Sequence, residues 1–160
     1  MEKRRTRRKK VKTRESCQYA VETLDWGLDY SLSLDPQHKI SAGPYWEYAH
    51  LKVNGRFVEP QRLLDRAIDV IILGERHIGF AMEKPLEVTW QPRAVGGLTV
   101  SKSMTDCYIS IPFDALTLIA GGMEHGRVRF VTFFGEALYR NKADIRSVSF
   151  ERSYVPEEND

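Results

Sequence analysis

Alternation of apolar and polar positions dominates the chain and predicts strands. Leu24, Trp26, Leu28, Tyr30, Leu32 and Leu34 alternate with Asp25, Gly27, Asp29, Ser31 and Ser33. A period of two over such a run predicts a half-buried strand over 24–34, ended by Asp35-Pro36. Asn54-Gly55 then stands between two further runs, 45–53 and 56–59. Asn-Gly fills a type I′ turn because both central residues need positive φ. The two runs therefore read as a hairpin, with Val53 facing Arg56 and His50 facing Glu59. Pro60 lacks a donor and marks a strand end or edge.

The run 66–73 is almost continuously β-branched or aliphatic, which predicts a strand covered on both faces. Residues 78–82 read as its returning partner. Leu86, Val88 and Trp90 alternate with polar residues and predict another strand. A Pro/Gly-rich loop covers 91–97. Leu98 with Val100, and Cys107 with Ile109 and Ile111, supply two more strand faces. One helix is expected over about 113–121, started by Pro112 and Asp114 and stopped by Gly121-Gly122. Strands over 127–134 and 143–152 follow.

Turn signals at this spacing predict a mainly β fold: a single antiparallel β-sandwich or barrel-like domain over 17–153, with one short helix. The chain has 160 residues, 42% hydrophobic and 29% charged, which suits one globular domain. No apolar run is long enough for a membrane-spanning helix. No signal-peptide pattern precedes the body, so an intracellular, cytoplasmic location is the default expectation.

Charge changes the picture. The net charge is only +2, yet residues 1–16 hold nine basic and two acidic groups, a net +7, on a body of −5. Lys3, Arg4, Arg5, Arg7, Arg8, Lys9, Lys10, Lys12 and Arg14 carry that excess, and Met1 and Val11 are the segment's only bulky apolar residues. Such a segment is expected to be disordered in isolation. It matches the phosphates of a nucleic acid, with an acidic protein or membrane surface, or no dedicated partner, as alternatives. Arg127 and Arg129 share a strand face and extend the nucleic-acid reading, with Arg140, Lys142 and Arg146 close behind. Residues 154–160 read as an acidic, frayed end.

The remaining chemistry is sparse. Trp46, Tyr48 and His50 fall on one strand face and form a possible ligand surface for a sugar or base; ordinary packing against the sheet is the alternative. Phe130-Val131-Thr132-Phe133 matches only the F-V-x-F end of an RNA-recognition strand, because Arg127-Val128-Arg129 stands where the pattern needs Gly and an aromatic. Those aromatics are read as core. The four histidines and two cysteines show no metal spacing. No nucleophile motif, phosphate loop or dinucleotide loop is present, so no catalytic residue, metal or cofactor is assigned. Cys107 is read as a small buried hydrophobe. The expectation is a binding domain whose basic segment associates with nucleic acid. A protein-interaction module that takes a chain at strand edges near Pro60, and a small-molecule-binding or hydrolytic β-sandwich, are the alternatives.

Overall fold

Seven strands close into a barrel in a computed structural model that describes residues 14–34, 45–87 and 89–156. The strands are β1 (Ser16–Leu34), β2 (Tyr45–Glu59), β3 (Ala67–Glu75), β4 (Gly96–Val100), β5 (Thr105–Pro112), β6 (Phe130–Glu136) and β7 (Lys142–Glu151). Helix α1 (Arg76–Glu83) follows β3, and α2 (Phe113–Glu124) lies between β5 and β6. The circular order is β1-β2-β3-β5-β4-β7-β6, and β6 returns to β1 through pairs from Ser16↔Glu136 to Glu22↔Phe130. Most neighbours are antiparallel, but β3 and β5 run parallel from Asp69↔Asp106 to Glu75↔Pro112. A parallel pair needs a crossover, which α1 and β4 supply. The mainly β, barrel-like expectation is met; the wholly antiparallel one is not.

The interior follows from alternation. Tyr19 and Val21, Leu51, Val53 and Phe57, Val70 and Ile72, Ile109, and Val131 with Ile145 are fully enclosed. Leu116, Ala120 and Met123 of α2 recur at spacings of four and three, so one helical stripe joins the same core. Cys107 is buried among these aliphatic side chains.

Several local expectations are corrected. Asn54-Gly55 is not a turn: β2 runs through it, pairing with β1 on one side and β3 on the other. Gly55 is there because its neighbour is too close for a side chain; a Cβ would lie 2.5 Å from the Glu22 carbonyl oxygen and 2.5 Å from Val21 Cγ1. The type I′ signature belongs instead to Arg140-Asn141, with φ of 49° and 65° and reciprocal backbone bonds between Tyr139 and Lys142. Residues 78–82 lie in α1, not a strand, and Pro85–Glu87 forms a 3-10 turn where a strand over 86–90 was expected. There are two α-helices among the described residues, and α2 runs through Gly121-Gly122 to stop before Gly126, at φ 64°.

The strand predicted over 24–34 exists as the second half of β1, but its apolar side is not buried. β1 leaves β6 after Glu22, and β2 leaves β3 beyond His50. Residues 25–29 still pair with barrel residues 50–54 of β2, while 30–34 and 45–49 pair only with each other, as a two-stranded ribbon projecting from the barrel. Leu28, Tyr30, Leu32 and Leu34 stay exposed. No described helix is long and apolar enough to cross a membrane.

Candidate functional site

β1 begins where the β6–β7 turn sits, because Ser16 pairs with Glu136 and the Ala137 amide donates to the Glu15 carbonyl. This brings Arg14 against the turn. Its guanidinium lies 2.8 Å from one oxygen of Glu136, and Arg146 lies 3.2 Å from the other. One carboxylate thus bridges two cations. Arg14 also stands 4.9 Å from the centre of the Tyr139 ring, and Arg140 stands 5.2 Å from the same ring. Three arginines share one acid and one aromatic, and the surplus is two positive charges. Residues 1–13, which carry the other eight cations of the basic segment, lie outside the described residues; the described chain starts inside this cluster.

Arg146 also faces a groove of about 480 Å³, lined in addition by His77, Trp90, Arg93, Gly96 and Ser110. The His77 ring meets Trp90 edge-on, with ring centres 5.6 Å apart. Trp90 is 44% exposed, enough to offer part of its indole face. Sequence reasoning missed this groove. The alternation of 86–90 predicts a strand at Trp90, and Arg93 falls in the Pro/Gly-rich loop 91–97; the irregular chain around 89–95 brings the two beside β4 and β7. The Val95 amide donates to the Ile145 carbonyl and the Ser110 amide to the Val95 carbonyl, which anchors that segment.

Arg127 and Arg129 do not join this cluster. They precede β6, at the opposite end of the β6–β7 hairpin, where the Arg129 amide donates to the Glu151 carbonyl. Lys142 and Asp144 alternate with Arg146 on the exposed side of β7, so an acid interrupts that row.

Trp46, Tyr48 and His50 do share one face of β2, on the ribbon. Trp46 and Tyr48 are stacked with centres 6.2 Å apart, and Tyr48 meets His50 at 5.2 Å. The partner expected for His50 was Glu59. Continuity through Gly55 instead pairs it with Asp29, Nε2 to Oδ2 3.1 Å. On the other ribbon face, Glu47 takes a 2.6 Å bond from Arg76 and a 3.1 Å bond from Tyr30, and that carboxylate pushes the Tyr30 phenol up. A second groove of about 540 Å³ lies here, between Tyr30, Tyr45 and Trp46 of the ribbon and Gly74, Arg76 and Phe113 of the barrel. His77 lines both grooves. Beyond it the one arginine, Arg76, is paired with Glu47, and Glu75 adds a second acid, so the cationic surface ends at His77.

Among the described residues no group of three or more His, Cys, Asp or Glu could hold a metal ion. Compared with protein-family models, curated proteins and solved structures, the chain matches none.

Proposed function

We propose that the protein is a nucleic-acid-associating domain in which the cationic segment 1–16 and the arginine-bearing end of the barrel grip the same polyanion. The observation that carries this is the position of Arg146. It pairs with Glu136 beside Arg14, at the root of the basic segment, and it lines the groove that holds Arg93, His77 and Trp90. The basic segment therefore feeds a surface that continues its own charge and ends on an exposed indole.

The backbone of Arg140 supports the reading. Left-handed φ at both turn positions favours Asn and Gly, yet an arginine occupies the first. A non-glycine residue there costs about 1 kcal/mol, which a role for the guanidinium beside Tyr139 would explain. Phosphates would be held by arginines and lysines, and one base of a single strand would stack on Trp90. Arg127 and Arg129 lie outside this path and contribute little to it.

The test is fluorescence anisotropy with labelled single-stranded and duplex oligonucleotides across a salt series. Full-length protein, a 14–160 truncation and Arg93→Ala are compared. The truncation removes eight cations. Each lost phosphate contact lowers the log–log salt slope by roughly 0.7–0.9, so the truncation is expected to bind more weakly and with a much shallower slope. Arg93→Ala is expected to reduce the slope by about one contact. Salt-insensitive or absent binding by the full-length chain refutes the proposal.

A further inference from the structure

The ribbon poses a separate problem. Leu28, Tyr30, Leu32, Leu34 and Tyr45 share one of its faces and are 46%, 57%, 58%, 62% and 68% exposed. Trp26 begins the same row and packs against the core. Two-stranded ribbons without a second layer are marginal in water, and contiguous apolar surface of this kind marks a contact site. The five side chains expose on the order of 600 Å².

We infer that this face is the contact surface of a homodimer, ribbon against ribbon. Three observations favour a second copy. The first is area: two such faces expose about 1,200 Å² between them, so near-complete burial with the rim reaches the lower bound for a specific interface. The second is charge. Residues 24–50 hold Asp25, Asp29, Asp35 and Glu47 against Lys39, a net −3, so an anionic bilayer or a nucleic acid is repelled. Asp25 and Asp29 stand on the face away from the leucines, and Glu47 is neutralised by Arg76. Two copies can therefore meet without opposing unpaired carboxylates. The third is that the chain covers this face only in part: Arg76 and Phe113 stand across a groove from Tyr30, Leu32 and Tyr45, which stay exposed. Residues 1–13 offer only Met1 and Val11, residues 35–44 only Ile40, and residues 157–160 no bulky apolar side chain.

A two-fold axis near the middle of the face would set Leu32 and Leu34 of one copy against Leu28 and Tyr30 of the other, as two sheets about 10 Å apart. The polar face with Asp29, His50 and Tyr48 would stay outside.

The test is sedimentation velocity of the full-length protein over two decades of concentration, at high salt so that contacts made by the basic segment are screened. Leu32→Glu is compared with Ser33→Glu, its neighbour on the opposite face. Wild type is expected to pass from monomer to dimer. Leu32→Glu should raise the dimer dissociation constant by roughly 100-fold or more, because it buries a charge in each copy, and Ser33→Glu should leave it within about threefold. Circular dichroism checks the fold; if Leu32→Glu melts early, Leu34→Glu gives the same readout from the ribbon's end. A wild type that stays monomeric throughout, or a Leu32→Glu dimer as tight as wild type, overturns the inference. So does a monomer that cosediments with neutral phosphatidylcholine vesicles, which would assign the face to a bilayer.

Discussion

Gly55→Ala tests whether the barrel closes by the close approach described at that position. The Cβ of an alanine would lie 2.5 Å from the Glu22 carbonyl oxygen and 2.5 Å from Val21 Cγ1. Val21 is fully enclosed and cannot swing away without disturbing the core. The β1 backbone must then retreat by about 1 Å, next to the register shift between Thr23 and Asp25. Overpacking of this kind costs about 1–3 kcal/mol, and a weakened ladder bond adds about 1 kcal/mol. Reduced freedom of the unfolded chain returns about 0.4–1 kcal/mol. The expected net loss is about 2–3 kcal/mol. Gly27→Ala is the control: it lies on the same strand pair with nothing within 4 Å of its Cβ, so only the unfolded-state effect acts. It should be neutral or stabilising by about 0.5 kcal/mol. Urea unfolding gives both values, and the melting temperature of Gly55→Ala should fall by about 5–10 °C. If the two variants unfold within about 0.5 kcal/mol of each other, the close approach does not constrain the barrel.

Arg140→Gly relieves a left-handed arginine and removes a cation, so it should raise stability by up to about 1 kcal/mol while weakening oligonucleotide binding; urea unfolding and anisotropy on the same sample separate the two effects. Trp90→Ala should cost about 1–3 kcal/mol of single-strand affinity and leave duplex binding nearly unchanged, which a paired titration reads. Burial, reinforced by neighbouring Asp106, pushes the Cys107 thiol up to about 12. The folded protein holds the neutral thiol, so its stabilising effect is complete below the unfolded value near 9 and is lost as pH rises from there towards 12. Urea midpoints of wild type should fall over that window more steeply than those of Cys107→Ala, and thiol reagents should reach Cys107 at neutral pH only on unfolding. Equal slopes for the two proteins would contradict the burial argument.

Strands from β4 onward were legible because their inward residues alternate without interruption, as in Cys107, Ile109 and Ile111. The α2 stripe was legible for the same reason at helical spacing. The hairpin expected at Asn54-Gly55 failed because the same dipeptide suits a tight turn and a strand that another backbone approaches closely; only the neighbouring strand distinguishes them. The real I′ turn carries Arg140, which propensity alone disfavours. Alternation over 24–34 identified a strand but not what covers it, since period two reports a difference between faces and not burial. Residues 78–82 are too few to separate a short helix from a strand. The groove of Trp90, Arg93 and Arg146 joins a loop to a distant strand, and no local pattern encodes that pairing; the basic segment, being contiguous, was visible at once.

The bond between β1 and β6 has a consequence for synthesis of the chain. Residues 16–22 wait for a partner more than a hundred residues downstream, and β4 and β6 wait for β7. Until residues 130–151 leave the ribosome, the nascent chain exposes the edges of β1 and β4, the kind of unpaired backbone on which chains aggregate. Ribosome stalling or premature termination before residue 130 would leave those edges open for good. Quality control should therefore meet this protein mainly as truncated chains, because in the completed barrel β1 is covered by β6 and β4 by β7.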